Sequence, residues 1–200
     1  MQNPEASFDV LYIVHRLDAA LHGISQLQIQ KLAFLGCVLS MYEGSPAAEW
    51  GYLFATTEFG RPICSEITDS LHFFGSAGLI GENEGRYSET AQGAAFLRLL
   101  LEQATFNKRL PYVKAACDSA LAVSAGILNQ GIDNEPTLAN SEIRARGDSL
   151  LTGPALHILH EHFSGLREVL GEKEFDLLIP SLAWLSYTAD TAVSTREPQA

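Results

Sequence analysis

The chain has 200 residues, 46% of them hydrophobic and 18% charged, which is enough to bury a real core in one domain or two small ones. Its net charge of −11 sets it against phosphate backbones and anionic membrane surfaces, so nucleic-acid binding would need a local basic patch. No apolar run is long enough for a transmembrane helix, and the N-terminus lacks the basic-then-apolar pattern of a secretory signal; the expectation is a cytoplasmic protein with no membrane role.

In chain order, Phe8, Leu11, Tyr12, Val14, Leu17 and Leu21 recur at helical spacing and predict a first helix over residues 8–22, ended by Gly23. Ser25 is a good N-cap for a second helix over 26–42, which Glu43-Gly44-Ser45-Pro46 breaks. Residues 50–55 read as a short extended segment or a single helical turn. A third helix is expected over 63–77, with Ile63, Ile67, Leu71 and Phe74 on one stripe and Gly78 at its end. Leu79-Ile80, the polar turn Glu82–Gly85 and Arg86-Tyr87-Ser88 predict a β-hairpin, and Thr90 caps a helix reaching about residue 104.

Beyond that point the reading is helical. Residues 107–130 are expected as one Ala-rich helix and 131–140 as a loop. A short charged stretch covers 141–147. Pro154 opens a further helix that Gly171 closes. A last helix spans 172–193, with Pro180 expected to break or kink it, and Thr195–Ala200 form a tail. The fold class is therefore mainly α: a winged-helix-like N-terminal domain with a small β-hairpin (residues 8–104), then a helical C-terminal region (105–194), either separate or packed on the first as one unit.

Catalytic signatures are missing. There is no glycine-rich phosphate loop, HExxH or nucleophile elbow, and Gly75-Ser76-Ala77-Gly78 reads as a helix end. Cys37, Cys64 and Cys117 are too widely spaced for a zinc pattern and read as buried, reduced residues. His157, His160, Glu161 and His162 place two candidate metal ligands four residues apart, but a solvated helix face is the better reading. No cofactor, metal or catalytic residue is assigned.

A winged helix usually reads DNA with its third helix. Here that helix carries Glu66 and Asp69 and no Lys or Arg, and the turn of the wing carries Glu82 and Glu84. Residues 55–90 hold six acids against Arg61 and Arg86, a local charge of −4. The counter-example is a later stretch where Arg98, Lys108, Arg109 and Lys114 face only Glu102, a local +3.

Several short motifs resemble a known family. Gln30-Lys31-Leu32-Ala33-Phe34-Leu35 is similar to the "QKLLYL"-type helix of Panacea antitoxin domains and the related YwgA-like winged-helix proteins. Trp50-Gly51-Tyr52-Leu53-Phe54 resembles their aromatic segment, and Gly60–Ser65 their turn into a helix, although Arg61 separates the Gly from the Pro. Leu79-Ile80 and Tyr87–Thr90 resemble their wing and cap. The resemblance covers roughly residues 10–100. It implies a place in toxin–antitoxin or phage-defence gene clusters, a protein partner, and no catalytic residues to carry over.

The expected function is thus a non-catalytic protein-interaction module: a small acidic, antitoxin-like component binding a larger, nearby-encoded protein. Its expected contact residues are Trp50, Phe59, Arg61, Glu66, Asp69, Phe73, Glu82 and Glu84. The alternative is a dimeric winged-helix transcription regulator using Arg98, Lys108, Arg109 and Lys114 on DNA.

Overall fold

A computed structural model describes residues 2–140, 149–153, 155–171 and 176–194. The expected elements at 141–147, Pro154 and the tail from Thr195 lie outside the described residues. The fold is mainly helical with a small antiparallel sheet. No described helix is long and apolar enough to cross a membrane.

Helix α1 (Pro4–Leu21) starts a turn before the expected residue 8. Asn3 caps it, its side chain accepting from the Ala6 amide at 2.9 Å, and Pro4 sits in the first turn, where its missing N–H costs nothing. Strand β1 (Ile24–Ser25) leads into α2 (Gln26–Tyr42) through a reciprocal cap: Ser25 accepts from the Gln28 amide, and the Gln28 side chain accepts from the Ser25 amide. Every residue of α2 from Ile29 to Tyr42 is buried, so this helix is the axis around which the rest packs.

Two polar residues on that axis tie other elements to it. Gln30 behaves like an extra peptide group: its Nε2 donates to the Cys64 carbonyl at 3.0 Å, and its Oε1 accepts from the Cys64 amide at 2.9 Å. Lys31 reaches Asp133 at 2.7 Å and Asn129 at 2.9 Å.

The aromatic segment begins with a 3-10 turn (Ala47–Trp50) and lays Trp50, Tyr52 and Phe54 inward, with Gly51 and Leu53 facing out. Strands β2 (Ala55–Thr56) and β3 (Pro62–Ile63) pair antiparallel, and α3 (Ser65–Ser76) follows, packed on α1. Then β4 (Ile80–Asn83) and β5 (Arg86–Glu89) form a hairpin whose turn residues Glu84 and Gly85 take φ of 51° and 73°, the left-handed pair a two-residue turn requires. Strand β1 pairs with β5, giving sheet order β1-β5-β4.

Thr90 caps α4 (Ala91–Leu101), accepting from the Gly93 amide at 3.0 Å. Gly93 itself is dictated by packing, since a Cβ there would lie 1.9 Å from the Leu79 carbonyl oxygen.

The short α5 (Ala104–Asn107) comes next, and the single helix expected over 107–130 is instead two, α6 (Leu110–Ala122) and α7 (Ala125–Asp133). Val123 turns extended and Ser124 caps the next helix, accepting from the Ile127 amide. This local bonding overrides the continuous Ala-rich periodicity. The loop expected over 131–140 is also corrected. Helix α7 runs to Asp133, and α8 (Pro136–Ala139) is a turn capped by the Glu135 side chain.

Helices α9 (Ala155–Leu170) and α10 (Leu178–Ser194) complete the described chain. Gly171 closes α9 at φ 75°. Pro180 neither breaks nor kinks α10. It falls in the first turn, whose amides have no intrahelical acceptor to lose. Helix α6 packs on α1 and α2, and one hydrophobic cluster runs from Ala6 to Leu185, so the C-terminal helices share the N-terminal core.

Candidate interaction surface

The exposed side of α3 carries Glu66, Asp69, His72 and Phe73, and the β4–β5 turn exposes Glu82 and Glu84. Beside the N-terminus, Gln2, Asn3, Glu66, Asp69 and Phe73 border a shallow cavity of about 410 Å³. None of these four carboxylates has a cationic partner among the described residues. Desolvation opposes ionisation of Glu66, but hydrogen bonds from its own amide, from Ser65 and from Cys64 hold its carboxyl below the usual range. Its charge is fixed at neutral pH. Apolar side chains stand nearby in the chain: Phe73 is 47% exposed, Ile63 40% and Phe59 73%, with the Arg61 guanidinium 5.9 Å from the Phe59 ring.

Trp50 is a correction. The aromatic segment was expected to offer it as a contact anchor, but it is buried, with its ring edge against Gly36 and its face under the Arg109 guanidinium at 3.5 Å. Arg109 is the second correction. It was expected in a surface basic stretch and is 7% exposed, bound through Nε and Nη2 to Asp9 at 2.7 Å each. Its Nη1 donates to the Trp50 carbonyl, and the Tyr52 hydroxyl donates to the same Asp9 carboxylate. Lys114 is held by Asp118 at 2.5 Å, and Arg16 bonds that carboxylate at 2.7 Å. Only Arg98 and Lys108 of the expected four remain exposed cations without an acid partner among the described residues. The stretch is therefore not a continuous phosphate-binding patch.

Sequence reasoning missed Asp9 and Tyr52, which complete the buried cluster on Arg109. The only hint was a lone carboxylate inside the apolar stripe Phe8–Leu11. It also missed the partnering roles of Gln30 and Lys31.

Among the described residues no group of three or more metal-ligating side chains converges. His157 pairs with Glu161 at 3.2 Å on an open face, 74% and 67% exposed. His162 turns away from that pair and packs edge-on against Tyr187, its ring centroid 5.0 Å off. The three cysteines are free and buried, and burial pushes the Cys64 thiol up to about 12. No family model, no curated protein and no solved structure matches the chain.

Proposed function

We propose that this protein is a non-catalytic interaction module, a small acidic, antitoxin-like component of a bacterial toxin–antitoxin or phage-defence system. In this reading residues 8–104 act as a winged helix: α3 takes the place of the recognition helix and the β4–β5 hairpin that of the wing. The order of elements and the pairing of β1 with β5 support that assignment.

The observation that carries the reading is the unpaired charge of Glu66, Asp69, Glu82 and Glu84 on the face where a DNA reader would place cations. Each carboxylate repels phosphate, whereas a basic protein surface gains attraction and on-rate from it. Exposed Phe73 and Phe59 supply the apolar contacts that charge alone lacks. The partner is then a larger protein with a basic, partly apolar surface, probed by native-host affinity purification at low salt with mass spectrometry. The expected result is one stoichiometric protein partner, released as salt rises. Recovery of nucleic acid with no protein partner would overturn the reading.

A further inference from the structure

Eight of the eleven residues of α4 are Ala, Phe or Leu, yet only Gly93 and Leu97 are buried. A helix turns about 100° per residue, so the face opposite Leu97 carries Ala91, Ala95 and Leu99, with Phe96 on one rim and Arg98 on the other. Leu99 is 59% exposed and Phe96 37%. A surface helix ordinarily turns its polar residues outward, and α4 does the reverse at the centre of its outer face.

Glu102 adds an independent observation. It stands at the C-cap of α4, where a carboxylate meets the negative end of the helix dipole. Arg98, one turn earlier on the same side, does not relieve it: the Arg98 Nε turns back to the Ala94 carbonyl at 3.3 Å. Both side chains are exposed, and among the described residues neither forms an ion pair.

Charge decides what covers this face. The chain holds 24 acidic residues, but between Thr90 and Cys117 Glu102 is the only one. Two copies of a chain at net charge −11 repel each other over most of their surface. Around α4 that repulsion is missing, and Arg98 and Lys108 turn a basic partner away.

We propose that α4 is the contact between two copies of this chain, packed antiparallel about a two-fold axis near Leu99. The two Leu99 side chains meet at the centre, and Ala95 lets the helices approach closely. A two-fold contact sets the same rim of each copy on the same side. An axis level with residue 100 then places Arg98 of each copy opposite Glu102 of the other, so two ion pairs close symmetrically across the contact. The carboxylate at the helix end and the unpaired guanidinium answer each other between copies. The contact does not use the acidic face of α3 and stands or falls without it.

The test is analytical ultracentrifugation of the full chain from about 1 to 100 μM, the range in which a reversible dimer shows its mass action. The expected result is a monomer–dimer equilibrium that Leu99→Glu abolishes. Leu99 is exposed, so far-UV circular dichroism of that variant should match the wild type. Arg98→Glu and Glu102→Arg should each weaken the dimer by about tenfold, because each turns two facing pairs repulsive. An equimolar mixture of these two variants should associate at least as tightly as the wild type, since every facing pair between unlike chains is then of opposite charge. A change confined to one helix cannot produce that rescue. A monomer throughout the range, or a dimer unchanged by Leu99→Glu, overturns the proposal. A mixture that associates no better than its two components overturns the antiparallel arrangement.

Discussion

Asp9 on α1 and Asp69 on α3 are the same residue on packed neighbouring helices, with opposite surroundings. Asp9 is fully buried and held by both arms of Arg109 and by Tyr52; Asp69 stands in water with no cation beside it. A buried charge survives only when it is paired and hydrogen-bonded, so Asp9 belongs to the fold. A run of unpaired surface carboxylates adds nothing to stability, and its cost in self-repulsion is recovered when a surface of opposite charge arrives. The comparison separates charges that hold the molecule together from charges left for a partner.

That separation can be broken by substitution. The largest effect is expected from Arg109→Met, which strands Asp9 in the core. It should cost about 3–5 kcal/mol of unfolding free energy in urea titration, and a loss below 1 kcal/mol would mean Asp9 is already protonated. Next is Gln30→Ala, which removes both bonds to the Cys64 backbone and leaves its buried N–H unpaired, while the carbonyl keeps the Thr68 amide. A loss of about 1–3 kcal/mol is expected by the same measurement.

Glu135 gives a pH-dependent case. Its carboxylate caps α8 through the Thr137 and Leu138 amides, but burial raises its pKa and its Oε1 has no hydrogen-bond partner among the described residues. A raised folded pKa means that its contribution to stability is full below the unfolded value and fades as pH rises through the folded one. The urea midpoint of Glu135→Gln should therefore gain on the wild type as pH goes from 4 to 8; a constant gap would contradict the shift. The smallest effect is expected from the paired change Asp69→Lys with Glu82→Lys. Stability should move by no more than about 0.5 kcal/mol, because both carboxylates are exposed and neither is paired with a cation among the described residues.

The parts of the fold written in local chemistry were legible in the sequence. The Ser25 cap, Gly78 after α3, the Glu84-Gly85 turn and the Thr90 cap each need only a few neighbouring residues. The breaks around α6 were hidden because Ala-rich periodicity runs straight through Val123 and Ser124. Trp50 was misplaced for a different reason: its burial depends on Arg109, and that guanidinium is anchored to Asp9, 100 residues away. Of the acidic residues, Asp69, Glu82 and Glu84 are exposed and Glu66 is half-buried. The supposed basic stretch was not legible, because Asp9 on α1 claims Arg109, and Asp118, four residues further along α6, claims Lys114.

The most direct measurement compares partner recovery from the native host by the wild type and by a variant with Glu66, Asp69, Glu82 and Glu84 all changed to Lys. Each bait should first be shown to have the same far-UV circular dichroism and melting temperature. The acidic-face reading predicts a protein partner bound by the wild type and lost from the folded variant. The same partner retained at equal yield by both baits would contradict it.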